Sequence, residues 1–172
     1  MRRNDDGGRF PELVGFAAEA QQAGKVYRVG LIFFAGTVSM LNGPEPAHAP
    51  ARAFVQGLRA LGYVEGQNLM LERRAAEGRI ERLGDIVADL VRLQVDVIVT
   101  VSTPTAQAAK AVTSTVPIVM ATSADPVGDG IVQSLARPGG NITGFQQFES
   151  AIGGKWLEVL KQVAPRVRRA AV

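Results

Sequence analysis

Cysteine is absent from this chain of 172 residues, which excludes disulfides, thiolate catalysis and cysteine-based metal sites. Histidine occurs once, as His48 in the proline-rich run Gly43-Pro-Glu-Pro-Ala-His-Ala-Pro50. One imidazole cannot supply a multi-histidine metal site, and no Ser-His-Asp context surrounds it. A solvated loop histidine is the expectation there. No apolar run reaches the roughly 18 residues of a membrane span. The common enzyme signatures are missing too: there is no G-x-S-x-G elbow, no Walker-type phosphate loop and no G-x-G-x-x-G turn. Ser102 and Asp125 have no base beside them in the pattern, so no catalytic constellation emerges and the chain reads as a non-enzyme. Charge of one sign is not in excess, since 19 Lys and Arg against 16 Asp and Glu leave +3. Basic residues alternate with acidic ones except at Arg2-Arg3 and at Arg166, Arg168 and Arg169. A nucleic-acid partner would require a basic stripe or a recognisable module, and neither is present.

What is present is an alternating strand and helix pattern. A hydrophobic share of 47% and a charged share of 20% fit a globular α/β domain with a substantial core. Val26 to Phe34 is an apolar, β-branched run and predicts a strand. A loop over residues 35–50, rich in Gly, Ser, Asn and Pro, follows it. Phe54, Leu58 and Leu61 recur at helical spacing and predict a first helix over about 50–61, stopped at Gly62. Residues 68–74 read as a second strand. Ile80, Leu83, Ile86, Val87, Leu90 and Leu93 mark the apolar face of a second helix. Residues 96–101 form an uninterrupted apolar run, as expected of a strand buried on both faces. A third helix is predicted over 103–112, a fourth strand over 117–121, a short fourth helix over 130–136 and a fifth strand over 141–145. A last helix spans about 151–163, and Arg168 to Val172 reads as the start of another strand.

Five strands alternating with helices predict a doubly wound parallel sheet in the order 2-1-3-4-5. In such a sheet, ligands bind beyond the carboxyl ends of the strands, where the strand order switches. Three loops qualify. Phe34-Ala-Gly-Thr-Val-Ser39 follows the first strand and offers the hydroxyls of Thr37 and Ser39. Ser102-Thr-Pro-Thr105 follows the third. Ser102 or Thr103 is placed to cap the third helix, with Pro104 in its first turn. The free N–H groups there suit a carboxylate, or the residues are a plain helix cap. Thr122-Ser-Ala-Asp-Pro-Val127 follows the fourth strand. There Ser123 offers a hydroxyl. Asp125 either pairs with a ligand ammonium group or closes a turn on its own backbone. Phe34 and Phe145 are aromatic residues at strand ends, available for stacking or for the core. A phosphate-accepting receiver domain shares this strand order. It needs an acidic cluster after the first strand, where this chain has Phe33-Phe34-Ala35-Gly36.

The wording of the chain carries more than its periodicity. Phe54-Val-Gln-Gly-Leu-Arg-Ala-Leu-Gly-Tyr-Val-Glu-Gly-Gln-Asn68 closely resembles a signature of bacterial ABC-transporter substrate-binding proteins of the tryptophan/tyrosine type. The likeness continues in order through Lys25 to Leu31, Ala76 to Leu83, Val95 to Val99, Ala108 to Ile118, Asp125 to Gly128, Ser134 to Gly144 and Lys155 to Lys161. It therefore runs from about residue 25 to the carboxyl terminus.

The resemblance implies a type-I periplasmic-binding-protein fold with two lobes and a ligand cleft between them, of which residues 25–148 are the amino-terminal lobe. Residues 149–172 would then be the crossover helix and first strand of an incomplete second lobe. It also implies a small-molecule ligand, an amino acid above all, delivered to an ABC permease at the membrane, with no cofactor. In that frame Thr103 and Thr105 contact the ligand carboxylate, Asp125 the amine, and Thr37 or Ser39 makes closing polar contacts, with Ser102 and Ser123 also among the ligand-binding residues. Such proteins act in the periplasm or at the cell surface. Residues 1–24 carry Arg2-Arg3 and Ala18-Glu-Ala20, which resemble an export leader, but Asp5 to Arg9 interrupt its apolar core. That segment is either a leader or a disordered extension. Two further outcomes remain open: a fragment that binds nothing, and a homodimer in which a second copy replaces the missing lobe.

Overall fold

Five strands form one sheet in the computed structural model, which describes residues 24–147, 152–167 and 169. Strand β1 spans Tyr27–Phe33, β2 Leu69–Ala75, β3 Val97–Val101, β4 Ile118–Ser123 and β5 Ile142–Gln146. Their order is β2-β1-β3-β4-β5, and every pairing is parallel. This is the doubly wound arrangement that the alternating pattern predicts. Parallel strands are covered on both faces by their own crossovers, so β1 and β3 carry continuous apolar runs. Residues 29–33 and 98–100 are buried.

The helices are α1 (Val38–Leu41), α2 (Ala49–Ala60), α3 (Leu83–Arg92), α4 (Thr103–Val112) and α5 (Ile152–Val163). Helix α1 lies inside the stretch expected to be loop. Helix α2 ends as its glycine predicts. Gly62 takes φ +85°, the Tyr63 N–H bonds Leu58 O at 2.9 Å and the Gly62 N–H bonds Arg59 O at 3.0 Å. These two bonds satisfy carbonyls that the helix leaves free. The buried stripe of α2 differs from the expected one. Ala51 and Val55 are buried and the expected Phe54 and Leu58 are half-buried against the core, whereas Leu61 is 75% exposed. The small Ala51 lets the helix approach the sheet, and Leu61 already belongs to the cap. Helix α3 buries Leu83, Ile86, Val87 and Leu90, while Ile80 sits in a preceding 3-10 turn and is exposed. Leu90 rests on β1 at Gly30, where an added Cβ would stand 2.8 Å from its Cδ1. Filling that space would cost about 1–3 kcal/mol.

Two apolar clusters lie on the two faces of the sheet. One joins Ile32, Ile98, Ile118 and Met120 to α3 and α4. The other joins Val29, Leu31, Phe33 and Val99 to Leu41, Ala51 and Val55. The helix expected over 130–136 is absent; the chain there makes turns. Asp129 N–H bonds Asp125 O at 2.9 Å, Ile131 N–H bonds Pro126 O at 2.8 Å, and Gly130 takes φ +66°. A left-handed residue cannot continue a right-handed helix. Ile131 and Val132 still reach the core, so the apolar pattern reports their burial and not their backbone. The strand expected over Arg168 to Val172 lies outside the described residues except for Arg169, which has no regular structure. The leader-like residues 1–23 also lie outside them.

Candidate functional site

The register of the sheet brings the three predicted loops to one edge. Phe33 pairs with Val101, and Val101 with Thr122, so β1, β3 and β4 end side by side. The pairing of β3 with β4 shifts between Thr100 and Val101, and that of β4 with β5 between Met120 and Ser123. Such irregularities bend strand ends and re-aim side chains. The chain order switches at β1 and β3, which opens a crevice between the loops that follow them.

Ser102 is the pivot of this edge. Its backbone takes φ 146° and ψ 161°, a region that side-chain-bearing residues rarely enter and that costs about 1–3 kcal/mol. Its hydroxyl makes no capping bond to the α4 backbone. It faces Thr105 Oγ1 at 3.2 Å instead, and that hydroxyl donates to Ser102 O at 2.8 Å. Thr105 is fully buried, so its side chain holds the turn from beneath and does not reach the surface. Pro104 sits in the first turn of α4 and has no N–H to leave open. The N–H groups of Thr103 and Thr105 have no acceptor within the helix and carry its positive end toward the crevice.

Thr103 ties this helix start to β4. Its hydroxyl lies 3.1 Å from Ser123 Oγ and accepts the Ala124 N–H at 3.1 Å. Ser123 is buried. The four hydroxyls therefore form a cluster of two bonded pairs, Ser102–Thr105 within the turn and Thr103–Ser123 across two strand ends. The other three predicted residues stand apart from that cluster. Thr37 and Ser39 bond each other at 2.8 Å at the exposed start of α1. Asp125 accepts the Gly128 N–H at 2.9 Å, which is the turn-closing alternative. A Cβ on Gly128 would run into that carboxylate. Phe34 packs on the core as a half-buried residue, whereas Phe145 is 71% exposed.

His48 is not the solvated residue expected. It is partly buried at the start of α2, edge-on to Phe33 with ring centroids 4.7 Å apart. Its position one residue ahead of Ala49-Pro50 was the available signal, because proline favours the first turn of a helix and so puts His48 at the cap. A cavity of about 420 Å³ lies at the opposite edge, between the end of α4 and the start of β5. Its one charged lining residue, Lys110, already bonds Gly130 O at 2.5 Å. That cavity belongs to the packing of the 124–141 turns, and the strand-end crevice is the better candidate for a solute. Among the described residues no cluster of His, Cys, Asp and Glu could hold a metal ion.

A sheet of this order with a polar crevice at its strand ends is the arrangement expected of a type-I periplasmic-binding-protein fold. The family follows from the sequence: residues 40–172 match the model of ABC transporter substrate binding proteins, and the chain belongs to that family. It is 34% identical over 121 residues to a tyrosine-binding protein of Clostridioides difficile, covering 70% of this chain and 34% of that protein. It is also similar to the crystal structure of a conserved domain protein from Vibrio cholerae, at 31% identity and a TM-score of 0.67. That match covers 84% of this chain and 46% of the other. A Streptococcus structure described as an ABC domain in complex with L-Trp matches at 26% identity and a TM-score of 0.66, over 83% of this chain and 45% of that one. The chain thus spans between a third and a half of the length of these relatives.

Proposed function

We propose that this chain supplies one wall of a cleft that binds an amino acid for an ABC import system, outside the cytoplasm. The observation that carries the reading is the strained Ser102 turn, with the Ser102–Thr103–Thr105–Ser123 hydroxyls gathered at the start of α4. Local strain of this kind persists at sites with a ligand to hold, and a helix start favours a carboxylate. Ser102, Thr103 and the Thr105 N–H would receive the carboxylate. Asp125 would meet the ammonium group through the oxygen not bonded to Gly128, and Thr37 and Ser39 would close over the solute. Relatives described as binding tyrosine and L-Trp make aromatic amino acids the first ligands to try. Helix α5 and the residues after it would begin the second wall, whose closure presents the solute to a permease.

Thermal unfolding with and without L-tryptophan, L-tyrosine and other L-amino acids tests this. Ligand at about 100 times its dissociation constant adds roughly 2.7 kcal/mol, a rise of about 5–10 °C for a chain of this size. A cooperative melt that no amino acid moves rejects solute binding by this chain.

A second reading, pairing of two copies, is favoured by apolar surface without cover. On the α2 side of the sheet Val119 and Ala121 are only half-buried, and Phe145 is exposed. Helix α5 carries Trp156, Val159, Leu160 and Val163 along one stripe, with Trp156 64% and Val163 79% exposed. Surfaces of this kind mark sites of association. Sedimentation at several concentrations decides it: a monomer throughout removes this reading.

A further inference from the structure

We propose that His48 is a positioning residue of the solute crevice, its ring acting as the wedge that sets the course of the loop carrying Thr37 and Ser39. The inference rests on the solute-binding reading for its purpose, though not for its geometry. His48 meets that wall at three places, its ring at Phe33 and beside Gly36 and its backbone at Met40. It meets Phe33, the last residue of β1, edge to face, with an interplanar angle of 69°. It lies beside Gly36, where an added Cβ would stand 3.9 Å from the ring's Cδ2. Its backbone N–H bonds Met40 O at 3.0 Å, which ties the end of α1 to the start of α2. Gly36 itself takes φ +81°, so the loop turns sharply where the ring supports it.

Capping does not account for the side chain. His48 occupies the cap position of α2 yet makes no side-chain bond to that helix. Its Nδ1 is buried and has no hydrogen-bond partner among the described residues. A buried polar atom without a partner costs stability, and a hydrocarbon ring of the same size would avoid that cost. The wedge therefore works through the shape of a planar ring at this place, and it acts on the solute only through the loop.

Amide hydrogen exchange on three chains tests this without requiring a ligand: wild type, His48→Ala and His48→Phe. The alanine variant should exchange about tenfold faster at residues 36–41, with α3 and α4 unchanged, because only the local opening loses its support. The phenylalanine variant keeps the ring and should keep the wild-type loop rates, with a melting temperature no lower than wild type. Wild-type loop rates in the alanine variant would overturn the proposal. So would faster exchange spread evenly over the whole sheet, or loop rates in the phenylalanine variant as fast as in alanine. If the alanine variant does not fold, His48→Leu takes its place with the same expectation, since it keeps bulk but not the planar edge. Binding of L-tryptophan and L-tyrosine is then measured on the same chains. About tenfold weaker binding is expected for alanine, and binding near wild type for phenylalanine. If the wild type binds neither amino acid, the solute reading fails on its own, and the exchange rates still decide the role of His48.

Discussion

The two edges of the sheet are built to different ends. At the amino-terminal edge polar groups are matched. Asp96 accepts the Arg28 N–H at 2.8 Å and pairs with Lys25 at 2.9 Å, and the Arg28 side chain donates to Leu93 O. Asn68 bonds Val64 N–H and Gly62 O, and Asn141 donates to both Thr113 O and Val116 O. At the carboxyl-terminal edge the costs are higher. Ser102 holds a strained backbone, the Thr37–Ser39 pair faces solvent, and His48 buries a nitrogen without a partner among the described residues. Satisfied turn chemistry stabilises a fold, whereas strain and unspent hydrogen bonds collect where a ligand is to be held. On the proposed reading, the first edge serves stability and the second binding.

Substitutions at each edge should therefore separate the two properties. The largest effect is expected for Asn141→Ala at the amino-terminal edge. It deprives two carbonyls of their donor and should cost about 2 kcal/mol. That is a fall of roughly 4–8 °C in melting temperature, with amino-acid affinity unchanged in those chains that remain folded. Ser102→Gly at the other edge should have the opposite sign. Glycine enters the strained region freely, so stability should rise by about 1 kcal/mol after its own entropy cost. Amino-acid binding should weaken, since the hydroxyl and the fixed turn are both lost. A Ser102→Gly chain that is both less stable and an equal binder would break the comparison.

The smallest effect belongs to Asp96→Asn. The Arg28 N–H, and after it Lys25, hold the Asp96 carboxyl below its ordinary value of 3.8. The ion is favoured in the folded chain, so its contribution is complete above the ordinary value and is lost as pH falls through the lowered one. The side chain is about a third exposed, with a relative accessibility of 35%, so solvent screening keeps the difference below about 1 kcal/mol at pH 7. Denaturant melts of both chains should differ slightly at pH 7 and draw together as pH falls below 3.8. A gap that widens on acidification contradicts the sign.

Most of the fold is legible in the sequence because buried parallel strands and glycine-stopped helices leave strong local patterns. Val29 to Phe33, Ile98 to Thr100 and the Gly62 cap are examples. The loops at the strand ends are equally legible as places, since strand order alone selects them. Their internal bonding is not. Whether Asp125 faces a ligand or Gly128, and whether Thr105 lies above or beneath the turn, depends on contacts a few ångströms long that periodicity does not select. His48 is hidden for the same reason: Phe33 is 15 positions away in the chain, and only the course of the loop brings the two rings together. Ile131 and Val132 show a different limit, because a core position does not reveal the backbone that supplies it.

The most direct measurement is a set of amide chemical-shift maps recorded while L-tryptophan and L-tyrosine are titrated into the chain. The account predicts shifts confined to residues 34–39, 102–106 and 122–128, with the amides around Asp96 and Asn141 unmoved. Shifts centred on the amino-terminal edge, or no shifts with either amino acid, would contradict it.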